Sequence, residues 1–184
     1  MFANALTGTL VIADATNLIG KLPIQGTEIL TFRLSTPGSP GIDCSTPEKA
    51  MHVYALTDKQ QSSDGVEIYT LHFASREFLR NIRTRVSQAY SGRIDQMVSS
   101  IMQDENYLDS RKTLNVQETS NQDKIVIPNM HPFQAINMLQ KRALSTIDST
   151  TNVGYHFYET PRGFHFRSWE SMCVDANGIP RDVK

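Results

Sequence analysis

Two histidines, His156 and His165, flank an aromatic-rich chain reversal, and they come nearest in this 184-residue sequence to a metal or acid–base pair. A four-residue loop would set them near one another across a hairpin. They supply at most half of a zinc site, and no carboxylate or cysteine at suitable spacing completes the set. Histidines flanked by aromatics on an exposed strand face read more simply as surface.

A second cluster is cationic. Arg76, Arg80 and Arg83 fall at i, i+4 and i+7, with Arg85 close by, a spacing that puts a stripe of positive charge on one face of a helix. Such a stripe can face phosphates, and it equally describes the solvated or partner-binding face of an amphipathic helix. No helix-turn-helix pattern or aromatic stacking pattern accompanies it. Asp104 and Glu105 are adjacent carboxylates, but neighbours one residue apart on a helix point in different directions, so they read as a solvated helix end. The sequence has no G-x-S-x-G elbow and no glycine-rich phosphate loop. Cys44 and Cys173 lie far apart and outside any CxxC or Cys/His spacing, which reads as two reduced thiols. From the residues alone, catalytic, cofactor-binding and metal site residues are none, and no cofactor is expected.

Composition narrows the classes further. The formal net charge is −1, which argues against wholesale coating of nucleic acid or anionic membrane. No apolar run approaches bilayer-spanning length. The opening Met1-Phe2-Ala3-Asn4 lacks the basic-then-apolar pattern of a secretory signal.

The elements that must position these residues begin as strands. Thr9 to Ala13 forms a short apolar strand, followed by capping residues Asp14 to Asn17 and a turn of helix through Leu18-Ile19-Gly20. Glu28 to Ser35 puts Leu30, Phe32 and Leu34 on one face, the period of a half-buried strand. Breakers fill Thr36 to Gly41. Met51 to Asp58 and Val66 to Ala74 flank the polar connector Lys59 to Gly65, which predicts an exposed hairpin loop. Four strands this close together predict an antiparallel sheet or small barrel.

At Ser75 the period changes. Phe78, Ile82, Val86 and Ala89 recur at helical spacing up to Ser91-Gly92, which predicts a helix over 76–90. Ile94, Met97, Val98 and Ile101 predict a second over 93–103. Leu114 to Val116 and Ile125 to Ile127 turn extended, with Pro128 as a stop. Pro132 opens a helix reaching about Ser145, with Phe133, Ile136, Leu139 and Ala143 on its buried side. Tyr155 to Tyr158 and Phe164 to Arg167 form a hairpin through Glu159 to Gly163, with Tyr155, Phe157, Phe164 and Phe166 as core. After Trp169 the chain is polar and lacks a closing element.

The fold class expected is therefore α+β. An antiparallel β-barrel or tube-like domain with two helices covers 1–109, and a smaller, partial strand–helix–hairpin domain covers 110–184. So small a second piece is marginal alone.

Three stretches carry a resemblance. Gly8-Thr9-Leu10-Val11-Ile12-Ala13-Asp14-Ala15-Thr16-Asn17-Leu18 with Leu22 to Glu28 is the first. Tyr69 to Glu77 with Val86 to Gly92 is the second. The third is Ile127-Pro128-Asn129, His131 to Asn137, Lys141-Arg142-Ala143 and Tyr155 to Ser168. In order and number they resemble the N-terminal portion of baseplate hub proteins from T-even-like contractile-tailed bacteriophages.

That resemblance implies a virion structural protein and no enzyme. Hub subunits of this kind form a homotrimer at the tip of the tail tube. Each carries two tube-like barrels, so that three copies present a pseudo-sixfold ring to the hexameric tube. Tube or tube-initiator proteins are the partners on one side. The trimeric spike, which in some relatives carries a lysozyme, is the partner on the other. DNA passes through the channel on ejection without specific binding, no membrane is engaged, and assembly takes place in the host cytoplasm. The sequence departs from the pattern by stopping just after Ser168 where a second barrel is expected, as in a shortened chain or a reduced relative. The rival expectation is a nucleic-acid-binding module that uses the Arg76/Arg80/Arg83 face, and a third is a hydrolase whose site the sequence hides.

Overall fold

Alternation between Thr7 and Asp14, and again from Met51 and from Glu67, builds the first sheet, because period two gives a strand one face to bury. The computed structural model describes residues 2–22, 24, 26–61, 65–146 and 154–173. Within it the chain divides into two units, Ala5–Leu79 and Met1–Asn4 with Arg80–Lys184.

In the unit Ala5–Leu79, β1 (Thr7–Asp14), α1 (Leu18–Lys21), β2 (Ile29–Leu30), β3 (Arg33–Thr36), β4 (Ser39–Asp43), β5 (Met51–Gln61) and β6 (Glu67–Ser75) follow in order. The main sheet runs β1-β6-β5-β2, antiparallel throughout, with Thr7 opposite Ala74 and Asp14 opposite Glu67. Val53, Tyr69 and Leu71 form its buried centre, and Ile12, Ile19, Leu30 and Phe73 pack against them. Asn17, with a left-handed φ of 56°, caps α1 by accepting from Gly20 N at 3.0 Å. Asp14 turns the chain into that helix by accepting from Thr16 N at 2.8 Å and from Leu18 N. Burial alone raises the Asp14 pKa, but these backbone donors outweigh it and hold the carboxyl below its ordinary value.

Two expectations change here. The sheet is open, with β1 and β2 at its edges among the described residues, so a closed barrel is replaced by a curled half-sheet. Register shifts at Val53/Ala55 and Thr57/Gln60 mark bulges in β5, which bend the strand. The single strand expected over Glu28 to Ser35 is split into β2 and β3, and β3 leaves the sheet to pair with β4 as a hairpin. That departure leaves Leu34 58% exposed. The expected loop Thr36 to Gly41 is partly the tight turn of that hairpin. Ser62 to Asp64 of the expected polar connector lie outside the described residues, as do Pro23, Gln25 and the polar tail from residue 174.

α2 (Arg76–Arg83) follows β6, and the helix expected over 76–90 ends there. Thr84 donates through both N and Oγ1 to Arg80 O, at 3.0 and 2.8 Å, and closes the last turn. From Val86 the chain is β7 (Val86–Arg93), paired antiparallel with β9 (Gln122–Met130). Cross-strand pairing overrides the local helical spacing. The spacing was coincidental: Ile82 is 56% exposed and Ala89 is exposed, while Val86 is buried as a strand residue. The same pairing overturns the boundary near residue 110, because β7 before it and β9 after it form one ribbon.

The rest of the second unit comprises α3 (Ile94–Gln103), β8 (Leu114–Val116), α4 (Pro132–Gln140), β10 (Tyr155–Thr160), β11 (Gly163–Ser168) and α5 (Trp169–Cys173). The stripe Ile94, Met97, Val98 and Ile101 is buried on α3 as its spacing requires. Pro128 does not stop β9; the strand continues to Met130, and the ladder is irregular between Val86 and Gln88, opposite this stretch. That placement suits a residue without an N–H. α4 begins at Pro132 as expected but ends at Gln140, although Ala143 beyond it is still buried. His131 Nδ1 lies 2.8 Å from Asn81 O, and Asn81 Oδ1 accepts from Phe133 N at 2.8 Å, which ties the start of α4 to the end of α2.

Candidate functional site

The three-stranded sheet β10-β11-β8 has one apolar face and one polar face, and the polar face carries the candidate site. Tyr155, Phe157, Phe164 and Phe166 are all buried on the apolar side, as their alternation predicts. Phe157 stacks on Phe164 with centroids 5.6 Å apart, and Tyr155 lies 4.8 Å from Phe166. Period two therefore sends His156, Tyr158, His165 and Arg167 to the other side.

The reversal between the strands is tighter than a four-residue loop, since Thr160 pairs with Gly163 and only Pro161-Arg162 lie between. As a result His156 faces Arg167 and His165 faces Tyr158, so the two histidines are not cross-strand partners. They occupy different surroundings. Phe2 packs 4.9 Å from His156 and 4.8 Å from Tyr158, and Trp169 lies edge-on 5.6 Å from His156. His165 stacks on Tyr158 at 5.0 Å with rings 13° apart. Among the described residues no group of three or more His, Cys, Asp or Glu side chains is placed to hold a metal ion.

β8 completes the face. It pairs parallel to β11, with Phe164 beside Leu114, His165 beside Asn115 and Phe166 beside Val116. The approach is close enough to demand glycine at Gly163, where φ is 132° and an added Cβ would sit 2.2 Å from Thr113 O. Together these elements frame an open groove of about 520 Å³, lined by Asn115, Val116, Gln117, Arg162, His165, Arg167 and Ser171.

Hydrogen bonds fix several of these side chains. Thr160 Oγ1 donates to Gly163 O at 3.2 Å, so it accepts from His165 Nε2 at 2.9 Å. Arg167 Nη2 donates to Ser171 O at 2.8 Å. Gln117 Oε1 accepts from Ser168 N at 2.8 Å. Burial and then the neighbouring Arg167 and Arg162 charges push the His165 pKa below its ordinary value.

No family model and no curated protein matches the chain. A solved structure does. It is the E. coli c3393 protein, described as a component of the type VI secretion system with structural similarity to the T4 bacteriophage tail proteins gp27 and gp5. The two align at 12% identity and a TM-score of 0.45, over 73% of this chain and 41% of that protein. The likeness is coarse, and this chain spans well under half the length of the protein it matches.

The other residues singled out by sequence fall elsewhere. Arg80 is not a solvated cation: its Nε donates to Tyr107 O at 2.9 Å, its Nη2 to Glu105 O, and its Nη1 lies 3.9 Å from Asp109 Oδ2. Arg85 Nη1 donates to Asn129 O at 3.2 Å. Arg83 is exposed and Arg76 is half-buried. Asp104 caps the loop after α3 by accepting from Asn106 N and Nδ2, and Glu105 is exposed, so the two do not act as a pair. Cys44 is buried and Cys173 is exposed, in different units. No helix of the described residues is long and apolar enough to cross a membrane.

Sequence reasoning missed Arg162 and Arg167 as a pair. The available signal was the alternation of the hairpin, which puts His165 and Arg167 on one face with Arg162 in the turn. The parallel partner β8, fifty residues away, left no local trace.

Proposed function

We propose that this chain is a structural subunit of a phage-tail-like machine, a baseplate hub or tube adaptor, which functions by assembly with copies of itself and not by catalysis. The observation that carries the reading is β1. This eight-residue strand is an edge of the main sheet among the described residues, and its consecutive residues Leu10 and Val11 are 41% and 65% exposed. Neighbouring strand residues point to opposite faces, so the edge is apolar on both. A long apolar edge of this kind is a template for another strand, and ring closure is one way in which a protein covers it.

The resemblance of Gly8 to Leu18 and of the Tyr155 to Ser168 hairpin to hub sequences supports the same reading. It extends the proposal to a trimer that joins the tail tube to the spike around a channel for DNA. The near-neutral charge suits such a channel, since many phosphate contacts would retard passage. The nucleic-acid alternative loses its central residue, because the Arg80 guanidinium is spent on backbone carbonyls.

The test is a charge on the edge. Val11→Lys is expected to leave the fold unchanged, because the side chain is already exposed, and to lower the oligomer mass seen by cross-linking. An unchanged cross-linking pattern in a folded Val11→Lys protein would count against edge-mediated assembly.

A further inference from the structure

The polar groove beside β11 has features that an assembly role does not require. Three of its seven lining residues are cationic or titratable to cations (Arg162, His165 and Arg167), and no carboxylate lines it among the described residues. In the same unit Arg93 pairs with Asp95 at 2.8 Å and Arg142 with Asp123 at 3.2 Å, whereas Arg83, Arg85 and Arg111 are exposed without an ion pair among the described residues. Arg162 and Arg167 form no ion pair among the described residues. The acids nearest in sequence are Glu159, which pairs with Lys112 at 2.6 Å, and Glu170, which forms no ion pair with either arginine among the described residues.

The donors are also prearranged. The bond from Arg167 Nη2 to Ser171 O steadies one edge of the guanidinium and leaves its other N–H groups available. The amide oxygen of Gln117 is taken by Ser168 N, which leaves the Gln117 NH₂ as a donor at the groove. His165 is fixed by Thr160 on one nitrogen and by stacking on Tyr158, so its Nδ1 is a lone-pair acceptor in the neutral ring and a donor only once the ring is protonated. Arg162, Arg167 and His165 line the same groove, and burial and then the two arginine charges keep the imidazole pKa below its ordinary value.

We propose that this groove binds an oxyanion, a phosphate or carboxylate group held by Arg162 and Arg167 with Gln117 as a further donor. Two guanidinium groups suit such a ligand, because each presents a planar fork of N–H donors to a pair of oxygens. The volume of about 520 Å³ falls in the range of small-molecule sites, so the anion is carried on a larger molecule.

The test uses the whole chain and two simple probes. Sodium phosphate and sodium acetate are titrated separately at constant ionic strength, with the His165 and Arg167 side-chain resonances followed by NMR. Saturable shifts at both residues are expected. Phosphate saturating at the lower concentration identifies a phosphate site, and acetate doing so identifies a carboxylate site. Arg162→Gln, in an exposed turn, is expected to keep the native spectrum and to weaken binding about tenfold, the value of one charged hydrogen bond. Arg167→Gln is expected to weaken it at least as much. Non-saturable drift with both anions, or equal affinity in a folded Arg162→Gln protein, overturns the proposal.

Discussion

Lys112 Nζ lies 2.6 Å from Glu159 Oε1, with the Lys112 side chain 5% exposed and the Glu159 side chain 1% exposed. The ammonium also stands 5.6 Å from the centre of the Phe164 ring, so the pair is set against the aromatic layer of the hairpin. A pair this deep is held by mutual neutralisation, because either charge alone has no water to return to. Glu159→Gln or Lys112→Met is therefore expected to destabilise the fold by about 3–5 kcal/mol, and the double variant Lys112→Met/Glu159→Leu to recover much of that loss. Urea unfolding of the three variants measures both effects. A double variant that is as unstable as the sum of the singles would show that the pair is not coupled.

Arg80 anchors the loop after α3 through two backbone carbonyls. Arg80→Gln is expected to lower stability by about 1 kcal/mol, the net worth of such hydrogen bonds when water can reach the freed carbonyls, and to loosen Glu105 to Asp109 in hydrogen exchange. Had the residue faced phosphate, the same change would weaken salt-dependent DNA binding and leave the melting temperature alone.

Gly163 is held at φ 132° with Thr113 O where a Cβ would be. Gly163→Ala is expected to cost about 1–3 kcal/mol in backbone strain, with steric repulsion added, and to separate β8 from β11. The amides of Phe164 and Gln117, bonded to Thr113 O and Phe166 O at 2.9 and 2.8 Å, report the separation by faster exchange.

His165 gives the fold a pH dependence of known sign. Its pKa is lowered in the folded protein from the ordinary 6.5, so in the window below 6.5 the unfolded chain binds the extra proton more readily. Stability from this group is full above about pH 6.5 and is lost as pH falls through the folded value. Thermal melts across pH 4.5–7.5 (a range of about three units around the free imidazole value) should show this slope, and His165→Gln should flatten it.

How much of this could be read from the chain depended on whether the signal was local. The α3 stripe and the aromatic hairpin were legible because each is decided within a dozen residues, by burial on one face. The start of α4 was legible from Pro132. The segment Val86 to Arg93 was not, because its apolar spacing fits a helix and only its partner β9, thirty residues on, makes it a strand. Pro128 misled for the same reason, since an irregularity in the paired ladder accommodates what a regular ladder would not. The groove needed β8, whose three residues carry no periodicity at all.

The account rests on assembly through the apolar edge at β1, and the molar mass in solution tests that most directly. Light scattering on a sizing column, over a wide range of protein concentrations, should give a mass that rises to a trimer for the unaltered chain and stays lower for Val11→Lys. A single monomeric mass at every concentration, identical in the two proteins, would contradict it.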